Sequence, residues 1–339
     1  MSEAPGEPGP VPHWPGRLFS LGDYQVYLRS VPPATQEPAT REPATRAPAT
    51  REPATQEPAL CVHGLEGSSR NWTDLMDLLR PRLAADAVDL PGFGDSPPRP
   101  DGRYSIVAMA ETITRLIQQG GRGPVHLIGN SLSGPACVKV AAAHPELIRS
   151  LILISPALPD PRPRRDLLHF PVMCLPGVGA RLIGQFRRLP PERRVADVIW
   201  NCFSDPQRFA TEVAELSRRD TFAWPPAALV GSARALTADY FRVGRNSSWR
   251  EAARITAPTL IIYGADDRLV HARNAGRAAR AFSSGRVVVM ASTGHLAHME
   301  HPAQVAAEIG VLLDAQAQAP RADPRRPEQA REFPLTHAG

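Results

Sequence analysis

The stretch PVHLIGNSLSG, residues 124–134, decides how this chain folds. An apolar run, PVHLIG, ends in glycine; then come Asn130, Ser131, Leu132, Ser133 and Gly134, and residues 132–144 are rich in small side chains. The first part reads as a buried strand and the second as a helix. A serine at such a junction sits on a tight turn with a strained backbone. Its neighbours two places away must be small, because strand and helix backbones pass close together there. Gly129 meets that demand on one side. Ser133 stands on the other, where glycine is expected; it adds only a hydroxymethyl, and Gly134 follows. Its hydroxyl is expected to bond locally or to reach the pocket. Ser131 then projects into a cleft with a helix N-terminus behind it, where the dipole and free amides favour an oxyanion.

Working outward, apolar strands alternate with amphipathic helices. LFSLGDYQVYLRSV (18–31) reads as a hairpin around Gly22-Asp23, and ALCVHG (59–64), ADAVDLPGFG (85–94), LILIS (151–155), PTLIIYG (258–264) and RVVVMAS (286–292) read as strands. Residues 71–83, 104–120, 272–282 and 301–316 carry helical spacing. Strands that are apolar throughout, separated by helices, predict a mainly parallel sheet covered on both faces, with ligands at the carboxyl ends of the strands. Residues 160–250 break the alternation with helix-like segments separated by prolines, and read as a helical cap inserted after LILIS. The expected organisation is a tail at 1–16, a first core part at 17–159, the cap at 160–250, a second core part at 251–316 and a tail at 317–339. Both tails are rich in Pro, Ala and charge and cannot offset the entropy of ordering. Inside the first core part, residues 33–58 repeat PAT(Q/R)(E/A) every five residues. Proline in every unit excludes a continuous helix or paired strand, so this reads as a solvated surface insertion.

Composition narrows the function. The 339 residues are 42% hydrophobic and 22% charged, with net charge +5, ordinary for a globular protein. The positive charge is nearly all Arg, scattered rather than interleaved with aromatics, which argues against nucleic-acid binding. Cys61, Cys137, Cys174 and Cys202 have neither CxxC spacing nor His-rich company, and read as buried thiols in a reducing compartment, not bridges or metal ligands. The start lacks the pattern of a secretory signal, and no apolar run is long enough to span a bilayer. The expectation is a cytoplasmic protein without stable membrane insertion; the oligomeric state is not legible.

Three more motifs fall just after strands. CVHGLEGSSRNW (61–72) places His63-Gly64 there, so that the Leu65 amide can face the cleft and join the Leu132 amide as a pair of oxyanion donors. His63 reads as a structural hydrogen-bonding residue rather than a base. IIYGADDRLV (261–270) offers a carboxylate that could accept from an imidazole N–H; Asp267 is the choice and Asp266 its adjacent rival. ASTGHLAHMEHP (291–302) puts His295 directly behind a strand, where it could take and return the serine proton; His298 and His301 lie farther along.

With these residues in place, the chain resembles the α/β-hydrolase superfamily over residues 16–316, in the order His-Gly, DLPGFGDS (89–96), GNSLSG, YGADDRLV and GHLAHMEHP. The resemblance implies a mostly parallel eight-stranded sheet flanked by helices, with a helical cap after strand 6. It implies a Ser131–Asp267–His295 triad and an oxyanion hole from the Leu65 and Leu132 amides. Gly92 and Gly94 would then serve backbone geometry, and Asp95 a structural role. A serine rather than an aspartate at 131 argues against haloalkane dehalogenase or epoxide hydrolase chemistry, while GNS and GADDR are similar to carbon–carbon bond hydrolases of ring-cleavage products. The expectation is therefore a serine esterase acting on a small-molecule ester, with no cofactor and no metal. A carbon–carbon hydrolase and a non-catalytic ligand-binding protein on the same fold are the alternatives. Phe170, Met173, Trp200, Phe203, Phe222, Trp224, Tyr240 and Phe241 are candidates to line an apolar pocket or to pack the cap helices together.

Overall fold

In the computed structural model, which describes residues 14–31, 56–160, 171–172, 174–175, 177–211, 225–240 and 247–318, the alternation becomes regular structure. The chain runs through β1 (Gly16–Ser20), β2 (Gln25–Ser30), β3 (Glu57–Val62), α1 (Thr73–Leu79), β4 (Leu83–Asp89), α2 (Ile106–Gly120), β5 (Val125–Asn130), α3 (Ser133–Ala143) and β6 (Ile148–Ile154). Four helices follow: α4 (Val178–Phe186), α5 (Pro191–Cys202), α6 (Pro226–Tyr240) and α7 (Ser248–Ala252). The last elements are β7 (Thr259–Gly264), α8 (Ala275–Ala281), β8 (Gly285–Met290), α9 (Ala297–Glu300) and α10 (Pro302–Gln318).

Eight strands form one sheet in the order β1-β2-β4-β3-β5-β6-β7-β8. β1, β2 and β4 pair antiparallel, and every other neighbour pairs parallel. Why these short strands lack polar alternation is visible in their packing. In β6, Leu151 and Leu153 face one hydrophobic cluster and Ile152 and Ile154 the other; in β7, Ile261 and Tyr263 oppose Leu260 and Ile262. The first cluster is closed by residues of α2, α3 and α8, the second by residues of α1 and α10. Both faces are therefore buried, and each aliphatic side chain contributes about 1.5–3 kcal/mol on burial. Helix α2 starts where the Ser105 hydroxyl accepts from the Ala108 amide at 3.1 Å and stops at Gly121, with φ 66°.

Three boundaries differ from the sequence reading. β1 begins at Gly16, inside the expected tail, and α10 extends to Gln318. β3 begins at Glu57, so the last two residues of the repeat, Glu57 and Pro58, belong to the sheet. Pro58 is tolerated because β4 pairs along Glu57–Val62 whereas β5 joins only from Ala59. Glu57 is held by Arg149 at 3.1 Å and by His126 at 2.9 Å. Residues 1–13, 32–55 and 319–339 lie outside the described residues, with most of the expected tails and repeat.

The strand order reverses at β3 and β5: the chain leaves β3 for β4 on one side and returns to β5 on the other. By the rule for open α/β sheets, a switch point of this kind has a crevice beyond the strands' carboxyl ends where ligands bind. Between β6 and β7, α4 packs against α6, and α6 packs on α2. A small cluster of Val195, Ile199, Phe203 and Phe209 meets Leu296 and Met299, joining α5 to the segment after β8. The cysteines are free; Cys61 and Cys137 are buried, and Cys174 and Cys202 are half-buried as residues. Burial pushes the thiol of Cys202, at the end of α5, up as it does those of Cys61 and Cys137, so the expectation of four buried thiols is corrected at Cys174. Among the described residues no helix is long and apolar enough to cross a membrane, and no group of His, Cys, Asp and Glu side chains could hold a metal ion.

Candidate active site

Ser131 follows β5 and precedes α3, with φ 53°, a left-handed conformation that a non-glycine residue adopts only at a cost. The turn is held by hydrogen bonds from the Ser131 amide to Ile154 O at 3.1 Å and from the Gly134 and Ala157 amides to Ser131 O at 2.9 and 3.0 Å. A Cβ on Gly129 would lie 2.6 Å from Cys137 Sγ and 3.1 Å from Ser133 Oγ, so strand and helix do approach as closely as the elbow demands. Ser133 is fully buried, and its hydroxyl stays local. It accepts from the Asn130 amide at 2.9 Å and lies 2.8 Å from Val62 O and 2.9 Å from Asn130 O, either of which can take its proton. It ties β5 to β3 and does not serve the crevice. Ser131 itself is half-buried, and among the described residues its hydroxyl has no hydrogen-bond partner.

The β3 loop passes directly against this serine. A Cβ on Gly64 would meet Asn130 Oδ1 at 2.8 Å and Ser131 Cβ at 3.0 Å, so only glycine fits. Leu65 is half-buried and Leu132 buried. Their amides donate to no backbone acceptor among the described residues outside the regular elements. Glu66 adopts φ 59°, and burial pushes its carboxyl up to about 7. The loop is anchored from below: Asp89 Oδ1 accepts from the Ser69 amide at 2.5 Å, and Oδ2 from the Asp95 amide at 2.8 Å. Gly92 and Gly94 have φ 81° and 52°, and Asp95 pairs with Arg70 at 2.9 Å, so this segment serves geometry, as expected. His63 is buried with both ring nitrogens used. Nε2 accepts from the Leu90 amide at 2.9 Å, so Nδ1 carries the proton and donates to Gly64 O at 2.7 Å. It cannot act as a base without unmaking the loop.

On the other side of the crevice, His295 Nδ1 and Asp267 Oδ2 are 2.8 Å apart, and both side chains are buried. Asp267 Oδ1 accepts from the Leu269 and Val270 amides at 2.8 Å each. Burial pushes this carboxyl up, but the His295 charge and hydrogen bond, with the two amides, outweigh it and hold it below the ordinary carboxylate value. Asp266 is exposed, and its amide donates to Thr293 O at 2.9 Å. Of the two adjacent acids, Asp267 is the one hydrogen-bonded to His295. With Nδ1 engaged, the imidazole offers Nε2 to a reacting group. Asn130 links the two sides: its Nδ2 donates to Ile154 O at 3.0 Å and to His295 O at 3.4 Å.

His301 bonds Ser292 O at 3.0 Å through Nε2. His298 is buried and stacked on Trp72, with centroids 4.1 Å apart. Burial, helped by the charge on His295, pushes its imidazole down to about 3. An unfolded chain takes up this proton near pH 6.5, whereas the fold refuses it until about pH 3. Its contribution to stability is therefore complete above pH 6.5 and declines as pH falls from there, at up to about 1.4 kcal/mol per unit. Replacing His298 with phenylalanine keeps the stack, and denaturant unfolding between about pH 7 and 4 should show a slope shallower by one proton.

Three side chains that the sequence did not flag shape the site. Asn130 is one. Glu300, buried, accepts from the Gly294 amide at 2.6 Å and the Ser204 amide at 2.9 Å. Arg268 bonds Phe203 O at 2.7 Å and also Trp200 O, with its guanidinium 4.6 Å from the Trp200 ring centroid. The Cys202 carbonyl, at the end of α5, accepts from the His295 amide at 2.7 Å and the Leu296 amide at 3.3 Å. Of the aromatic candidates, Phe203 is fully buried and stacked on Phe209 at 4.8 Å, and Trp200 is 60% exposed, so both pack or face solvent rather than line a pocket. The backbone of Tyr240 ends α6, while Phe170, Met173, Phe222, Trp224 and Phe241 lie outside the described residues.

The chain has relatives among known proteins. The family model described as "alpha/beta hydrolase fold" matches residues 58–302. The chain is 27% identical over 243 residues, 72% of its length and 90% of the relative's, to pimeloyl-[acyl-carrier protein] methyl ester esterase of Aeromonas hydrophila subsp. hydrophila. It is 24% identical over 250 residues, 71% of its length and 81% of the relative's, to 2-hydroxy-6-oxononadienedioate/2-hydroxy-6-oxononatrienedioate hydrolase of Cupriavidus pinatubonensis. The solved structure of 2-hydroxy-6-oxo-6-phenylhexa-2,4-dienoate hydrolase from Rhodococcus sp. strain RHA1 superposes with TM-score 0.64 at 18% identity, covering 90% of this chain and 98% of that one, a likeness of fold.

Proposed function

The chain belongs to the alpha/beta-hydrolase fold family, and from that premise we propose that it is a serine hydrolase cleaving a carboxylic ester of a small or medium, largely apolar substrate. The observation that carries this reading is the buried 2.8 Å Asp267–His295 hydrogen bond in a segment tied through Asn130 to the turn of a serine held at positive φ. In this mechanism Ser131 Oγ attacks the ester carbonyl while His295 Nε2 takes its proton. Asp267 holds the imidazole tautomer and stabilises its cation. The Leu65 and Leu132 amides receive the oxyanion; among the described residues no backbone carbonyl outside the regular elements accepts from them. The protonated histidine then gives its proton to the departing alcohol, leaving an acyl-enzyme. Water, activated by the same histidine, releases the acid. The helices of residues 160–250 act as a cap that sets acyl specificity, and no step calls on a cofactor.

A carbon–carbon bond hydrolase is the second reading, favoured by the relative from Cupriavidus pinatubonensis. A panel of p-nitrophenyl esters of increasing acyl length, beside a vinylogous 1,5-diketone, separates the two. Ester turnover with a burst of p-nitrophenol is the expected result. Cleavage of the diketone alone would replace the esterase reading, and apolar ligand binding without any turnover would end the enzymatic one.

A further inference from the structure

We propose that the outer face of α4, with the turn before it, is a docking surface for an anionic lipid bilayer. Helix α4 buries Gly179 and Ile183 and packs on α6, which fixes the face it turns outward. On that outward side Leu182 is 39% and Leu189 36% exposed, and in the preceding turn Val172 is 46% and Leu175 53% exposed. Leu182 lies in α4 one turn before half-buried Phe186, while Val172 and Leu175 precede the helix and Leu189 follows its end. Single exposed aliphatics are ordinary, but four within residues 172–189 make an apolar stripe along the chain that marks an interaction surface.

The charges beside the stripe say what kind of surface it meets. Residues 177–202 contain five arginines against Glu192 and Asp197. Arg181 and Arg188 each precede a stripe leucine, and with Arg193 they are exposed and have no carboxylate partner among the described residues. A basic edge along an apolar stripe is the arrangement of a helix lying in a membrane interface, its aliphatics in the acyl boundary and its guanidinium groups on lipid phosphates. A purely acidic protein would satisfy the arginines but leave the aliphatics in water. A bilayer satisfies both without requiring a complementary shape. The attachment is peripheral, consistent with the absence of a spanning helix among the described residues.

Vesicle flotation tests this with the full chain, using phosphatidylcholine vesicles alone or with an equal part of phosphatidylglycerol. Wild type should bind the anionic vesicles, lose most of that binding at high salt, and bind the neutral ones weakly. Both R181E/R188E and L182E/L189E should lower partitioning about tenfold or more, with unchanged circular dichroism and unchanged hydrolysis of a soluble ester. Absent vesicle binding, or binding equal in all three proteins, overturns the proposal. So does a wild-type dimer in analytical ultracentrifugation that L182E/L189E converts to monomer, because the face would then be a contact between copies.

Discussion

Replacement of Ser131 by alanine is expected to lower kcat by about 10⁴–10⁶-fold while leaving the fold intact. The size follows from the division of labour proposed for the crevice. Without Oγ there is no acyl-enzyme, and the oxyanion amides and bound geometry retain only a residual rate. The fold should survive because the Ser131 hydroxyl bonds no described residue, whereas the turn is held by main-chain bonds that alanine keeps. A fluorophosphonate probe reads this directly: wild type becomes labelled and Ser131→Ala does not. Ser133→Ala is the internal control. It removes a buried hydroxyl that ties β5 to β3, so it should cost stability, about 1–3 kcal/mol, yet still accept the probe. Equal labelling of Ser131→Ala and wild type would remove the proposed nucleophile.

The second large effect is expected at Asp267. Asparagine there retains the size but presents an amide, which favours the wrong imidazole tautomer, so kcat should fall by about 10³–10⁴-fold with KM little changed. Asp266→Asn, one residue away and exposed, should remain within about twofold of wild type. A stability profile adds an independent readout. The folded environment holds the Asp267 carboxyl below its unfolded value, so this group stabilises the fold at neutral pH, and the contribution is lost as pH falls through the lowered folded value. Asp267→Asn should therefore be less stable than wild type near neutrality and should lose less on acidification. Comparable activity in the two variants, measured on any ester the wild type turns over, would discard the acid assignment.

The comparison of Asp266 with Asp267 shows where sequence reading reaches and where it stops. Strand, glycine and acid are local patterns, so β7 and its carboxylate pair were legible, as were the serine elbow and His295. That Asp267 is the acid meeting His295, 28 residues away, is a long-range contact that no spacing rule contains. Glu300 was missed for the same reason: its partner Ser204 lies in a different part of the chain. Sequence alone shows that Ser133 is tolerable at the elbow, but deciding between a local bond and the pocket needs the position of Val62 O. Element ends slipped by a few residues, as at Glu57 and Pro58, because the repeat's composition hid the start of a strand whose partner is β4. The aromatic residues of the insertion were the least legible. Hydrophobicity alone does not distinguish a side chain that fills a helix interface, as Phe203 does, from one that meets a ligand.

The grip of α5 on the base has a dynamic consequence. The carbonyl of Cys202 holds the two amides of His295 and Leu296, and Arg268 holds the carbonyls of Trp200 and Phe203. Any displacement of that helix end would pull on the segments that carry His295 and Asp267 together, so the end of α5 and the buried Asp267–His295 bond hold a single position between them.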